Sequence, residues 1–221
     1  QRGRQLPSII DSDAAGTDGG NFDTDGVEEL AKFATTLATG RVPPWILSIW
    51  SNHRLLALPK GGPTEARPAV IGSRLINLVH ACVIDNVKDQ IEGAIHPEQL
   101  GLKNAGPDAL TTTFRLLIDI DANRHQQKTA DVNDPFIFAS IDIKNAHSEA
   151  SVNVILETVK IRCPECYPWY HAYFSAGNTI LPTIGKKVLE DSIKVLDGLL
   201  QGVCGSSPLF CLLVDPVLKW A

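Results

Sequence analysis

Asp142 stands near the end of the most β-rich run in the chain, PFIFASIDI (135–143), just ahead of a polar stretch. A carboxylate anchored there by a buried strand can point into an open cleft and hold Mg²⁺ through oxygen. Asp also caps helices, and on spacing alone the cap of a helix starting near Asn145 is the simpler role. Cys163 and Cys166 form a CxxC, followed by Cys204 and Cys211 with no adjacent histidine. A closed zinc site wants four well-spaced N or S ligands, so packed thiols are expected instead. Tyr167, Trp169, Tyr170, Tyr173 and Phe174 could stack on bases, but such a group more often fills a core or a subunit contact. The segment Gly198-Leu199-Leu200-Gln201-Gly202 is a glycine-bounded turn with a side-chain amide that both donates and accepts hydrogen bonds. Asp18, Asp23 and Asp25 lie among glycines, but without the spacing or terminal Glu of a calcium loop; they read as solvated linker.

The elements that must position these residues mix helix and strand. Residues 1–26 are rich in Gly, Asp, Ser and Thr and read as an irregular N-terminal arm. Val27, Leu30, Ala31, Ala34 and Leu37 then recur at helical spacing, and Gly40 is a natural stop. Pro43-Pro44 opens a short segment leading to a strand, LLALP, and Lys60-Gly61-Gly62-Pro63 is turn chemistry before a second strand, ARPAVIG, so a hairpin is expected. Residues 73–91 predict one helix of about five turns with Leu75, Leu78, Val79, Cys82 and Val83 on its apolar face. Another helix is expected over 106–121, a polar loop over 123–133, and a helix over 144–160 after the PFIFASIDI strand. A hairpin around Asn178–Leu189 and a final helix, Pro208–Trp220, complete the reading. There is no regular βαβ alternation, so the expected class is α+β.

With 44% hydrophobic residues the 221-residue chain has material for a sizeable core, which excludes a disordered or fibrous protein. No apolar run approaches the roughly 18 residues of a membrane span, so a soluble chain is expected. Five cysteines do not make a disulfide scaffold, and a reducing, intracellular setting is the simpler expectation. A chain without methionine that opens on Gln1 is expected to be a processed product, a fragment or a partly interpreted sequence. The formal charge of −5 argues against a wide phosphate-gripping surface. Only residues 40–75, with 5 basic and 1 acidic side chains, suit an anionic ligand.

In order and spacing these segments resemble the fingers and the first part of the palm of a reverse transcriptase of the non-LTR retrotransposon and related retroelement type. The blocks are RLLALPKGGPTEARPAVIGSRLINLV (54–79), Gln99-Leu100-Gly101, FASIDIKNAH (138–147), PECYPWYHAYF (164–174) and GLLQGVCGSSPLF (198–210), and the likeness spans residues 27–221. It implies a fingers-like region over 27–133 and a partial palm-like region over 134–221. It also implies that Asp142 matches a metal-binding aspartate, with the backbone near Ile143 beside an incoming triphosphate. Lys60 and Arg67 match the fingers residues that clamp the triphosphate. Gln201 and Gly202 match the turn near the nascent base pair and template. The implied chemistry is two-metal phosphoryl transfer with Mg²⁺, acting on a template-primer and a deoxynucleoside triphosphate.

Three departures shape the functional expectation. The aromatic gate five residues after the aspartate is His147, within NAHSE; Val203-Cys204 replaces Asp-Pro after the Gln-Gly pair; and no Tyr-x-Asp-Asp block precedes Ala221. The chain is therefore expected to be a reverse transcriptase-like, non-catalytic subunit of a larger assembly. The alternative is a fragment of an active RNA-directed DNA polymerase. A palm without its last strands leaves a sheet edge open, so other protein subunits are expected on the palm side. The expected contacts are Trp169, Tyr170, Tyr173, Phe174 and the final helix.

Overall fold

Apolar residues at helical spacing bring α1 (Thr24–Ala38) into the core through Ala34 and Leu37, while Val27 and Leu30 on the expected face stay exposed. The computed structural model describes residues 24–59, 62, 66–126, 142–184, 187–189 and 191–219. Lys60, residues 1–23 of the expected arm, residues 135–141 of the PFIFASIDI strand, and Trp220 lie outside them. Asp25 belongs to the first turn of α1.

After α2 (Pro44–Trp50), strands β1 (Asn52–Pro59) and β2 (Ala66–Ile71) pair antiparallel from Arg54↔Ile71 to Pro59↔Ala66, the hairpin that the turn chemistry predicts. The expected 73–91 helix divides at Val87, whose φ of −111° and ψ of 12° leave helical geometry. It becomes α3 (Arg74–Asn86) and α4 (Lys88–Ala94). The buried face of α3 is Ile76, Val79, His80 and Val83, so the expected face is corrected: Leu78 is exposed and the polar His80 takes a core position. A 3₁₀ turn (Leu100–Leu102) precedes α5 (Gly106–Gln126). The helix runs on through residues 123–126, since a polar stretch without Gly or Pro does not end a helix.

The helix expected over 144–160 is also corrected. Residues 144–149 form successive turns with Asn145 at φ 53°, and α6 spans only Val152–Arg162. Its first N–H, from Val152, donates to Asp197 Oδ1 at 2.5 Å. Asp142 lies too far ahead of that first turn to cap it; the capping carboxylate arrives from a distant part of the chain. Then come α7 (Tyr167–Ser175), β3 (Asn178–Ile184), β4 (Lys187–Val188), β5 (Ile193–Val195) and α8 (Ser206–Leu218). Strand β3 runs parallel to β1 (Asn52↔Thr179 to Leu55↔Pro182) and antiparallel to both β4 and β5, giving one sheet in an α+β chain. No helix of the described residues is long and apolar enough to cross a membrane.

Helix α7 is the centre of the core. Trp169, Tyr170 and Tyr173 are buried among α1, α3, α6 and α8 residues of the same chain, so these aromatics are not a free surface for a partner. Trp169 Nε1–H donates to His80 Nδ1 at 3.0 Å, and the His80 ring meets Tyr173 edge-on at 4.7 Å between centroids. Tyr173 Oη lies 3.2 Å from His53 Nε2, which lies 3.2 Å from Asn178 Oδ1, linking α7 to β1 and β3. Burial, with a smaller contribution from His53, pushes His80 down to about 3 and keeps it neutral.

A second polar element sits between helix ends. Asp215 of α8 is fully buried, with Oδ2 2.5 Å from Arg162 Nη2 and 2.9 Å from Lys219 Nζ, and Oδ1 accepting the His96 N–H at 2.5 Å. Burial raises this carboxyl, but Lys219, the His96 N–H and Arg162 together hold it down to about 2. Asp215→Asn leaves the largely buried Arg162 guanidinium without its counter-charge and is expected to cost roughly 3 kcal/mol, read from the urea midpoint at neutral pH.

His80 contributes to the pH profile alongside His53 and His147, whose pKa values burial also lowers. Its folded pKa lies below its ordinary value of 6.5, so between that value and about 3 the unfolded chain binds a proton that the folded one does not. Stability therefore falls as pH drops through this window, by up to roughly 4 kcal/mol from this group. His80→Gln keeps an acceptor for Trp169 and cannot titrate. Urea melts between pH 7 and 4 should show a clearly flatter decline for this variant than for the parent.

Candidate nucleic-acid interface

Two backbone hydrogen bonds join three segments that are far apart in sequence. Leu199 N–H donates to His147 O at 2.6 Å, and Val70 N–H donates to Gln201 O at 2.9 Å. The first ties the NAH segment to the glycine-bounded turn; the second docks that turn on β2. Val70 pairs with Leu55 on one side of β2, so the Gln201 contact lies on the strand's other edge and covers part of it.

The glycines make the approach close enough. Gly202 has φ 104° and Gly198 φ 91°, a region that a residue with Cβ rarely enters. A Cβ on Gly202 would overlap the Val70 carbonyl oxygen, and one on Gly198 would overlap the Ser148 carbonyl oxygen. Asp197, one residue earlier, accepts both the Val152 N–H and, at 3.2 Å, the Gly198 N–H. Behind the turn, Ser206 Oγ donates to Leu200 O at 2.7 Å and fixes it to the start of α8.

The structure thus brings His147, Gln201 and Gly202 together and sets them against β2, which also carries Arg67. Arg67 is exposed and lies three residues before Val70, about 10 Å along the strand at 3.3 Å per residue. Asp142 and Ile143 are both exposed and begin the described segment that leads to His147. Lys60 cannot be placed, as it lies outside the described residues. His147 does not stand free as a gate: its ring stacks on Phe210 at 4.7 Å between centroids and 20° between planes, and burial lowers its pKa. The cavity behind the turn, lined by His80, Tyr170, Leu199, Val203 and Ser206, is only about 10 Å³, room for about one water. A nucleotide would have to lie on the outer, exposed face.

Mg²⁺ is not matched by a donor set here. Among the described residues no three His, Cys, Asp or Glu side chains are grouped to hold a metal ion. Asp142 supplies a single carboxylate, and one carboxylate leaves Mg²⁺ mostly hydrated. Cys163 and Cys166 lie together, with Sγ–Sγ 3.3 Å and both residues buried. Asp197 and Phe210, which brace the site, were not evident as site residues from sequence. Asp197-Gly198 carries a turn signal, but its helix-capping partner is 45 positions away.

No protein-family model matches the chain, and no curated protein sequence matches it.

The close backbone approach gives a direct test. Gly198→Ala and Gly202→Ala are each expected to destabilise the chain by at least about 2 kcal/mol, through strained φ and overlap with a carbonyl. Gln201→Ala keeps the backbone carbonyl that Val70 uses, and its exposed side chain is expected to change stability by less than about 0.5 kcal/mol. Equilibrium urea unfolding of the three variants checks the ranking.

Proposed function

We propose that this chain is a reverse transcriptase-like fingers and palm segment that presents a nucleic-acid-facing surface without catalysing nucleotide transfer by itself, as part of a larger assembly. One observation supports the reading: hydrogen bonds from Leu199 to His147 and from Val70 to Gln201 bring together three segments that belong to separate blocks of the resemblance. Sequence resemblance alone requires no such convergence. On the outer side of the turn the Gln201 side chain is exposed, and Arg67 is exposed on the adjoining strand. The non-catalytic role is supported by the packing of His147 on Phe210 and by the Val203-Cys204 replacement beside the turn.

Against this stands the reading of a segment from an active RNA-directed DNA polymerase. It is favoured by the exposure of Asp142 and Ile143 ahead of the turn, where a carboxylate could meet Mg²⁺ once further carboxylates joined it.

Fluorescence anisotropy with a short RNA–DNA hybrid at low salt tests the surface. Measurable binding is expected, weakened about tenfold by Arg67→Ala through loss of one charge-assisted contact, with the salt slope reduced by about 0.9. Gln201→Ala is expected to weaken binding without changing that slope. No binding, or binding unmoved by both substitutions, rejects the surface. Template-dependent extension of a primer with Mg²⁺ or Mn²⁺, abolished by Asp142→Ala, would decide for the active polymerase.

A further inference from the structure

The corner between α6 and α7 is the segment Cys163-Pro164-Glu165-Cys166, closed by the Cys166 N–H donating to Cys163 O at 3.2 Å. This reversal puts Cys166 Sγ 3.3 Å from Cys163 Sγ, with both residues buried and both thiols free. Gln90 Oε1 accepts from the Cys163 thiol at 3.3 Å, and Cys163 O lies 3.2 Å from Cys166 Sγ. The hydrogen-bonding groups at the two sulfurs are a side-chain amide and a backbone carbonyl, and the ionisable Glu165 and Tyr170 lie close enough to act on them electrostatically. Among the described residues no further ligand joins them to make a metal site. Two sulfurs in mutual contact on a tight turn need a further approach of only about 1.3 Å to reach bonding distance.

We infer that Cys163 and Cys166 are a redox site of this chain, closing to an intramolecular disulfide by exchange with a small-molecule disulfide. The inference is independent of the nucleic-acid reading. The Cys163 thiol loses its proton to solvent, and the thiolate attacks one sulfur of the small disulfide. One small thiolate leaves, and a mixed disulfide remains on Cys163. Cys166, deprotonated in turn, attacks the Cys163 sulfur; the protein S–S bond forms and the second small thiolate departs. Two protein thiols are oxidised, one small disulfide is reduced to two thiols, and those thiols carry away the two protons. Because both cysteines are buried, attack proceeds through local opening of the corner. The bond formed would tie the end of α6 to the start of α7, the helix that carries Trp169, Tyr170 and Tyr173.

The test uses the full chain refolded from urea into buffers of stepped reduced and oxidised glutathione, so that burial cannot block exchange. After acid quenching, alkylation and proteolysis, mass spectrometry reads the peptide containing Cys163 and Cys166. The expected product is lighter by two hydrogens and carries neither an alkyl group nor glutathione. Its midpoint is expected at a glutathione ratio at least about tenfold more reducing than for the same chain held in urea, because the folded corner favours the bond. A midpoint equal to or more oxidising than that of the unfolded chain overturns the inference. So does a glutathione adduct on Cys163 that Cys166 never resolves.

Discussion

A carboxylate removed from water must be answered by charge and hydrogen bonds or it costs several kcal/mol, and Asp215 imposes that demand on the whole helical part of this chain. Arg162 answers it as the last residue of α6, and the same guanidinium also donates to Leu212 O at 2.7 Å and to Ala94 O. The His96 amide contributes from just beyond α4. The ends of α4 and α6 are thereby fixed against α8. Once α8 is fixed, its first residue, Ser206, holds Leu200 through its hydroxyl, and the glycine-bounded turn follows. The position of the candidate interface therefore depends on an ion pair buried at the opposite end of α8.

A separate seam joins the helices to the sheet. Trp169 binds His80 within the helical core, while Tyr173 reaches His53 on β1, and His53 meets Asn178 on β3. Burial lowers the pKa of both histidines, so the seam works with neutral imidazoles that can accept as well as donate. This seam also explains why Trp169 and Tyr173 do not lie on an outer surface. Their large rings are needed where α7 crosses from the helices to the sheet, and two of their polar atoms find partners only there.

The parts of the fold legible in sequence are those set by local chemistry. The β1–β2 hairpin follows from its turn residues, and the α8 segment follows from apolar content. The reading of α3 misplaced the core face because it counted only apolar residues, whereas His80 is buried as a hydrogen-bond acceptor. The start of α6 was misread for a different reason. Residues 144–149 carry helical composition, but Asn145 adopts a left-handed conformation, and the capping carboxylate is Asp197. At the candidate interface the glycine turn could be recognised, and the sequence order linked it to residues 142–147. Its docking strand could not be, because Val70 contributes only a backbone N–H, a group every residue but proline carries.

That last point bears on how structure and activity can separate in this chain. The contacts that assemble the interface are Leu199 N–H to His147 O, Val70 N–H to Gln201 O, and two bare Cα positions at Gly198 and Gly202. Apart from the glycines, these particular contacts use backbone atoms, while the Ser206 hydroxyl and the Asp197 carboxylate hold the turn from behind. A different side chain at position 147 or 201 would leave the backbone atoms of both bonds in place. The carboxylates, cations and gate that chemistry would need are side-chain properties and are not protected in this way. A scaffold held in part through its backbone can keep its shape while the groups it presents change, so function must be argued from those groups rather than from the scaffold.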